Sequence, residues 1–251
     1  MITAYHRPKT LDEALTLLSQ PNTLPLGGGT LLSQSASDSI EVVDLQTLGL
    51  DTIKKQGNNL EIGATVTLQQ LLESENCPDA LKSALKLEAP LNLRNAATVA
   101  GTLVSCDGRS TFTTAMLALD AKIEQTILDS SKTESRLSNI GQFLPLRPRG
   151  LITSINIPLN VKLAFEYVSR TPADKPIVCA AVVQWNSGRT RLALGGYGKS
   201  PMLAMDGTEP EGLEAAARNA FHEATDEWAS AEYRMDVAAT LAKRCLHEMS
   251  Q

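Results

Sequence analysis

The chain has 251 residues, of which 43% are hydrophobic, 20% charged and 4% aromatic, and its net charge is -5 at pH 7. No apolar run approaches the roughly 20 residues that a transmembrane helix needs, and the N-terminus lacks the basic-then-apolar layout of a secretory signal. The acidic balance argues against non-specific binding of nucleic acid, which needs a basic surface. We therefore expect a cytoplasmic protein of one large or two smaller domains.

Cysteines and histidines are too dispersed to predict a metal site. The three histidines are scattered, and no C-x-x-C pair or Cys/His spacing typical of zinc or iron–sulfur ligation occurs. We expect reduced, buried thiols at the four cysteines, Cys77, Cys106, Cys179 and Cys245.

The first 50 residues have the pattern of a compact βαβ-like unit. Thr10 and Glu13 form a capping-box pattern at the start of an amphipathic helix. The unit is predicted to contain strands over Ile2–Tyr5, Thr23–Leu26 and Glu41–Leu45, and a helix from residue 11 to about 19.

A longer mixed segment follows, up to a predicted boundary near residue 160. Gly57-Asn58-Asn59 is a hairpin signal between short strands at 53–55 and 60–62. Thr67 and Gln70 form a second capping-box pattern. Further predicted elements are helices over Pro78–Leu87 and Phe112–Leu119 and strands over Ala121–Leu128 and Leu151–Ile157, with an interruption at Pro145–Pro148.

The C-terminal segment is predicted to be an antiparallel sheet with two helices. Its strands are predicted at 162–169, 177–185 and 190–195, and its helices at 212–224 and 229–249. Four residues of the last helix recur at every fourth position and predict an apolar stripe that docks on the sheet: Tyr233, Val237, Leu241 and Cys245.

Two glycine-containing segments carry the functional signal. Gly27-Gly28-Gly29 follows a predicted strand, and Thr98-Val99-Ala100-Gly101-Thr102 is predicted as a second turn that also emerges from a strand. Glycine adopts positive φ freely and lets a ligand approach the backbone, whose N–H groups can hold a phosphate or pyrophosphate. A plain tight loop is the alternative for either segment alone.

The order of these motifs resembles one family over nearly the full length of the chain. Leu26-Gly27-Gly28-Gly29-Thr30, Ile62-Gly63-Ala64-Thr65-Val66-Thr67 and Leu93–Thr102 are similar to three motifs of the FAD-binding medium subunit of molybdenum hydroxylases, the xanthine dehydrogenase and carbon monoxide dehydrogenase group. Segments around Phe165 and Tyr233 resemble the C-terminal flavoprotein domain of the same family.

This resemblance implies an α+β fold in two parts. The first is a two-lobed, PCMH-type FAD-binding domain over residues 1–160, with lobes at about 1–52 and 53–160. The second is a domain over residues 161–251 like the C-terminal domain of CO dehydrogenase flavoproteins, with a three-stranded antiparallel sheet and helices.

The resemblance also implies FAD as the cofactor, lying between the lobes with its pyrophosphate against both glycine segments. No catalytic residue and no metal ligand is implied in this chain. The implied cofactor-binding residues are Leu26, Gly27, Gly28, Gly29, Thr30, Leu31, Thr98, Val99, Gly101, Thr102, Asp107, Thr111 and Lys175.

Several positions depart from the family pattern on the ligand side. Ala100 replaces a glycine, Thr102 an asparagine, and Thr111 the usual aspartate, while Lys175 stands where an aromatic residue is common. Arg109 is a cation that either faces the pyrophosphate or is a solvated loop charge. Two hypotheses stay open: FAD binds through altered contacts, or the fold persists with weakened or lost FAD binding.

The function implied is that of an FAD-binding electron-transfer subunit in a molybdenum hydroxylase-like oxidoreductase complex. It would relay electrons from [2Fe–2S] clusters of a partner subunit to an external acceptor. The implied partners are a molybdopterin-binding large subunit and a [2Fe–2S] small subunit, which alone would carry those two cofactors. The alternatives are a non-catalytic scaffold or assembly subunit of the same fold, and a stand-alone flavin oxidase or reductase.

Overall fold

The computed structural model describes residues 1–32, 39–129 and 132–250. Three strands near the N-terminus form a small parallel sheet. Strands β1 (Ile2–His6), β2 (Thr23–Leu26) and β3 (Ile40–Asp44) lie in the order β1-β3-β2, with both pairings parallel. Helix α1 (Leu11–Leu18) connects the first two strands. The predicted βαβ-like unit is therefore confirmed.

The capping box of α1 forms with one difference from its prediction. The Thr10 hydroxyl accepts the N–H of Glu13 at 3.2 Å, as predicted. The Glu13 carboxylate accepts the N–H of Lys9 at 2.9 Å instead of that of Thr10. Both partners still satisfy N–H groups at the start of the helix, which is the purpose of a capping box.

A five-stranded antiparallel sheet forms the second layer. Its members are β4 (Ile53–Gln56), β5 (Asn59–Gly63), β6 (Lys122–Asp129), β7 (Lys132–Asn139) and β8 (Leu151–Pro158), in the spatial order β4-β5-β8-β6-β7. The predicted hairpin around Gly57 joins β4 to β5. The helices of this region are α2 (Leu68–Glu73), α3 (Asp79–Glu88), α4 (Leu91–Arg94), α5 (Val99–Ser105), α6 (Thr111–Ala118) and α7 (Ile140–Leu146).

The second glycine segment is a helix start, and the prediction of a turn that follows a strand is wrong. Thr98 is the N-cap of α5, and the preceding regular element is the short helix α4. Gly101 lies inside α5, and its φ is not positive. A threonine that caps a helix and a threonine before a turn present the same local sequence signal, so only the fold separates them.

Besides the helices α4 and α5, two elements of this region were not predicted. Strand β7 is an edge strand whose residues from Thr133 to Leu137 are exposed. It therefore lacks the apolar alternation that identifies a strand in a sequence. Its backbone hydrogen bonds with β6 keep it in the sheet. Helix α7 contains Pro145 in its last turn and ends at Arg147, which has a φ of 39°. The predicted interruption therefore begins at the C-cap Arg147, two residues after Pro145.

The C-terminal sheet has four strands, one more than predicted. Its strands β9 (Val161–Val168), β10 (Val178–Trp185), β11 (Thr190–Gly195) and β12 (Met202–Gly207) pair antiparallel in the order β12-β11-β10-β9. The additional strand, β12, is a short edge strand that follows the glycine-containing loop 196–200. The two predicted helices are present as α8 (Leu213–Ala220) and α9 (Ala231–Met249).

The C-terminal sheet is buried on both faces. Side chains of one face, such as Phe165 and Ala181, share a core with α3 and α6. Side chains of the opposite face, such as Ala180 and Val182, pack against α8 and α9. The predicted boundary near residue 160 falls between β8 and β9, and the larger core extends across it. The division of the chain into domains at this point stays a prediction.

The predicted apolar stripe of α9 is correct from Val237, which packs against the core, to the C-terminal end of the helix, and fails at Tyr233. Leu241 and Cys245 are buried, but Tyr233 is 43% exposed and the neighbouring Arg234 is fully buried. The Arg234 guanidinium donates to the carbonyl oxygen of Ala224 at 2.6 Å and forms an ion pair with Asp226 at 2.7 Å. Arg234 is buried at this position because its hydrogen-bond partners satisfy its N–H donors. Apolar periodicity in the sequence does not reveal such partners.

The four cysteines are free and buried, as predicted. Burial raises the pKa of the Cys77 and Cys179 thiols to about 12, so neither is a thiolate at neutral pH. In the described part of the chain, no helix combines the length and apolarity that crossing a membrane requires.

Candidate functional site

A cavity of about 310 Å³ lies where the first sheet meets α5 and the five-stranded sheet. This volume is at the lower end of the range for small-molecule sites. Its walls are formed by Leu24, Pro25, Gly27, Gly28, Gly29, Thr30, Leu31, Leu32, Leu45, Ala64, Thr65, Thr98, Ala100, Gly101, Val104, Ser105, Gly150, Leu151 and Ile152.

The three consecutive glycines of the first loop have two different structural roles. Gly29 has a φ of 71°, a left-handed conformation that glycine adopts without strain. Gly27 and Gly28 are needed for close packing: a Cβ would lie 2.9 Å from Thr98 Oγ1 at Gly27 and 1.5 Å from the Ala96 carbonyl oxygen at Gly28. The first glycine loop thus rests directly on the chain that leads into α5.

The backbone N–H groups of this loop are available to a ligand. Leu26, at the end of β2, accepts a hydrogen bond from the N–H of Leu45 at 3.1 Å. Beyond it, the N–H groups of residues 27–32 donate to no other group in the described ranges. Unpaired N–H groups beside a cavity are the donors that phosphate oxygens accept.

The N–H groups at the start of α5 already have partners in the protein. Val99 N donates to the Val66 carbonyl at 2.9 Å, and Ala100 N donates to the Ala64 carbonyl at 3.3 Å. Gly101 N donates to Thr98 Oγ1 at 3.1 Å, which is the N-cap hydrogen bond. The start of α5 therefore presents the Thr98 side chain and the surfaces of Ala100 and Gly101 to the cavity, not a row of free donors.

Three of the implied cofactor-binding residues near these loops lie outside the cavity wall. Leu26 sits just before the glycines, and Val99 is fully buried in the larger core. Thr102 is buried on α5, and its hydroxyl donates to the Thr98 carbonyl oxygen at 2.8 Å.

Asp107, Thr111 and Lys175 also lie outside the wall, in a neighbouring polar cluster. Lys175 Nζ and Asp107 Oδ2 form an ion pair at 3.3 Å. The Thr111 hydroxyl is buried and donates to the Ala84 carbonyl oxygen at 2.7 Å. Of the 13 implied residues, those that the structure brings together around the cavity are Gly27, Gly28, Gly29, Thr30, Leu31, Thr98 and Gly101.

Arg109 lies outside the cavity wall, and its guanidinium contacts other parts of the protein. Its guanidinium donates to the carbonyl oxygens of Lys175 and Pro176 at 2.5 and 3.1 Å. It also lies 4.5 Å from the centre of the Trp228 ring, and Arg170 lies 4.3 Å from the same ring. Arg109 therefore holds the loop before β10 against the segment that precedes α6 and is not a solvated loop charge, while the alternative that it faces the pyrophosphate stays a prediction.

Glu88 is a buried carboxyl group of this cluster that sequence analysis did not single out. Its Oε2 accepts hydrogen bonds from Phe112 N and Ser110 Oγ, both at 2.9 Å, and lies 3.2 Å from Thr111 Oγ1. Burial raises the pKa of Glu88 above its ordinary value, against these hydrogen bonds, which act to lower it. Glu88 thus anchors the first turn of α6.

Other wall residues come from segments that carried no functional prediction. Gly150, Leu151 and Ile152 lie at the start of β8, and no local signal marks this strand start as part of a site. Thr65 belongs to the Ile62–Thr67 motif, which sequence analysis used for the family resemblance alone. Its hydroxyl is buried and has no hydrogen-bond partner among the residues that the structure describes.

The residues present fit the phosphate-bearing part of a dinucleotide. The loop 27–32 offers N–H donors, Thr65 offers a hydroxyl without a partner in the described chain, and much of the remaining wall is apolar. No lysine or arginine is among the wall residues of the described chain, so the backbone would carry the electrostatic stabilisation of phosphate. The described residues contain no group of three or more His, Cys, Asp or Glu side chains arranged to hold a metal ion.

Comparison with known proteins agrees with this geometry. Residues 1–160 match the model of the family described as the FAD binding domain in molybdopterin dehydrogenase. The chain is 25% identical to the carbon monoxide dehydrogenase medium chain of Afipia carboxidovorans, over 96% of this chain and 94% of that protein. It is 28% identical to the YgfM protein of Escherichia coli K12, with the same coverage.

The fold agrees with a solved structure of the same group. The crystal structure of the Cu,Mo-CO dehydrogenase in its cyanide-inactivated form contains a chain that superimposes with a TM-score of 0.82 at 25% identity, covering 98% of this chain and 97% of that one. The predicted family and α+β fold are thereby confirmed. This chain belongs to the family of FAD-binding domains of molybdopterin dehydrogenases, as a medium-type subunit of the molybdenum hydroxylases.

Proposed function

We propose that this chain is the FAD-binding, electron-transferring subunit of a molybdenum hydroxylase-like oxidoreductase complex. The observation that carries the proposal is the cavity between the first glycine loop and α5, with N–H groups on one wall that have no partner among the described residues. The family match over residues 1–160 supports FAD as its ligand. When bound, FAD accepts electrons singly and delivers them in pairs, a chemistry that protein side chains lack.

The residues of this chain bind and orient the cofactor. The N–H groups of residues 27–32 hold phosphate oxygens, and the Thr98 hydroxyl, fixed by its bond to Gly101 N, faces them from α5. Leu31 and Val104 are exposed apolar residues of the wall that a bound ligand would cover, and the exclusion of water there would strengthen those hydrogen bonds. Asp107, Thr111 and Lys175 act at a distance from this wall, through the cluster that Glu88 and Arg109 hold.

The partners proposed are those that the family organisation implies. A molybdopterin-binding large subunit and a [2Fe–2S] small subunit carry the two cofactors for which this chain offers no ligand set in its described residues. Electrons pass from the [2Fe–2S] clusters to this subunit and on to an external acceptor. We place the complex in the cytoplasm.

The primary test is an equilibrium titration of the purified chain with FAD, followed by flavin fluorescence. We expect saturable binding of one FAD per chain. The matched variants are Gly29→Ala on the cavity and Gly57→Ala on the β4–β5 hairpin, because both glycines have positive φ, 71° and 58°. Both substitutions strain a turn by about 1 to 3 kcal/mol, but only Gly29→Ala should weaken FAD binding.

Electron relay is tested by mixing the FAD-loaded chain with a reduced [2Fe–2S] partner subunit under anaerobic conditions. Bleaching of the flavin absorbance near 450 nm, which requires the partner, supports the proposal. A chain that binds FAD but is never reduced by any such partner contradicts the relay role.

A second candidate function is a non-catalytic scaffold subunit of the same fold. The observation that favours it is that the N–H groups at the start of α5 are already used by Ala64, Val66 and Thr98. In that case the chain would assemble with its partners while remaining colourless and unresponsive to added FAD. Co-purification of a flavin-free complex would establish this function instead.

A further inference from the structure

Thr65 stands out among the wall residues because its hydroxyl is buried and unpaired. The residue is 8% exposed, and Oγ1 has no hydrogen-bond partner in the described chain. A buried hydroxyl without a partner destabilises a protein, so native structures pair nearly all such groups. An unpaired group beside a cavity is therefore a candidate for pairing with a ligand.

The backbone around Thr65 is held firmly from several sides. Thr65 N donates to the Leu50 carbonyl at 2.9 Å, and Ala64 N donates to the Thr153 carbonyl at 3.1 Å. The Val66 carbonyl accepts from Val99 N at 2.9 Å. The position of Thr65 is thus fixed by the first lobe, β8 and α5 together, while its side-chain hydroxyl has no partner among the described residues.

The other hydroxyls of the wall differ from that of Thr65. The Thr98 hydroxyl caps Gly101 N, and the Ser105 hydroxyl donates to the Gly101 carbonyl at 2.8 Å. The remaining one, Thr30, lies in the first glycine loop, where it has access to solvent. Thr65 alone, within the described wall, combines burial with an unused hydroxyl.

We propose that Thr65 is a third point of attachment for the dinucleotide, in addition to the first glycine loop and Thr98. This inference rests on the proposed function, because FAD is the ligand it names. A 120° rotation about χ1 moves Oγ1 to the place now taken by the methyl group or by the hydrogen on Cβ, and such a rotation would bring the hydroxyl to the cavity that Thr65 lines. There the hydroxyl donates to a phosphate oxygen or pairs with a sugar hydroxyl of FAD.

The test compares Thr65→Val, Thr65→Ser and Ser138→Ala in the full-length chain, each stripped of flavin and titrated with FAD. Valine keeps the shape of threonine and removes the hydroxyl, while serine keeps the hydroxyl. Ser138 is the matched control because its hydroxyl is also buried and unpaired, but it lies on β7, outside the cavity wall.

We expect Thr65→Val to weaken FAD binding by roughly 3- to 10-fold, the effect of one lost hydrogen bond. Thr65→Ser and Ser138→Ala should stay within about 2-fold of the wild type. The melting temperature of flavin-free Thr65→Val should equal or exceed that of the wild type, because the substitution removes an unpaired polar group without creating a void. Loss of affinity without loss of stability is the signature of a hydroxyl that serves the ligand.

Four other outcomes of these titrations and melting experiments would contradict the role of Thr65 or the proposed function. Equal FAD affinity of the wild type and Thr65→Val overturns the assignment of Thr65 while leaving the proposed function intact. Affinity as weak in Thr65→Ser as in Thr65→Val shows that a hydroxyl at this position does not sustain binding and overturns the assignment of the effect to the hydroxyl. A lower melting temperature of flavin-free Thr65→Val shows a structural role and also overturns it. Absence of FAD binding by the wild type overturns the proposed function and the role of Thr65 with it.

Discussion

The Cα of Gly28 faces the Ala96 carbonyl oxygen so closely that a Cβ at this position would lie 1.5 Å from that oxygen. The contact joins the loop after β2 to the chain between α4 and α5. It makes Gly28 a packing residue between the two predicted lobes of residues 1–160. The second glycine of the first motif is thus required by the fold before any ligand is considered.

We expect Gly28→Ala to lower the free energy of unfolding by about 1 to 3 kcal/mol, because the Ala96 backbone must move to admit a methyl group. Chemical denaturation followed by circular dichroism measures this change. Gly141→Ala is the control: Gly141 lies in α7 with only a Leu117 methyl within 4 Å, so alanine should be neutral or stabilising. A Gly28→Ala protein as stable as the wild type would show that this contact opens freely.

Glu88 should make the protein less stable as the pH rises. Burial raises its folded-state pKa above its unfolded value, so the fold favours the protonated carboxyl. Its contribution is therefore most favourable below the ordinary pKa of glutamate and decreases as the pH rises through the folded-state pKa. We expect Glu88→Gln to gain stability relative to the wild type over this interval, as measured by urea unfolding at a series of pH values. A difference that does not change with pH would contradict the raised pKa.

Asp206 should show the opposite dependence on pH. Its hydrogen bond from Arg189, with Nε to Oδ1 at 2.8 Å, holds the pKa of this carboxyl below its usual range, and Arg191 adds to the effect. The stability it supplies is present above the ordinary pKa of aspartate and is lost as the pH falls through the folded-state pKa. Asp206→Asn should therefore be destabilising near neutral pH, with a deficit that shrinks toward low pH. A constant deficit would assign the effect to hydrogen-bond geometry alone.

Trp228 should couple to Arg109 in a double-mutant cycle. Arg109 stacks on the ring at 4.5 Å, and Arg170 occupies a second position at 4.3 Å. We expect a coupling free energy of about 0.5 to 1 kcal/mol between Arg109→Ala and Trp228→Ala at this partly exposed site. Arg170→Ala paired with Trp228→Ala is the parallel cycle. If both cycles show zero coupling, the arginines are held by their other contacts and not by the indole ring.

Part of the fold was predictable because its signals are local. The capping pattern at Thr67 forms as predicted, with Thr67 Oγ1 accepting from Gln70 N at 3.1 Å and Gln70 Oε1 accepting from Thr67 N at 2.8 Å. The hairpin around Gly57 and the buried strand β10 are also present. In each case, residues only a few positions apart create the hydrogen bond or the periodicity that specifies the element.

The candidate site was predictable only in its first half. The glycine run after β2 identified one wall of the cavity, because a run of glycines is informative wherever it occurs. The segment Thr98–Thr102 was identified too, but its role in capping α5 depends on Ala64 and Val66. The placement of Asp107, Thr111 and Lys175 away from the cavity depends on how α3, α6 and the loop before β10 meet.

The sequence by itself determined the family, the order of most helices and strands, and the loop most suited to phosphate. Only the tertiary structure decided why Gly28 must be glycine, which N–H groups are already used, and that the Thr65 hydroxyl is buried without a partner in the part of the chain that the structure describes. The physical reason is that unpaired donors and close backbone contacts are properties of groups far apart in the chain. Whether a donor has a partner is decided only when the sheets and helices pack together.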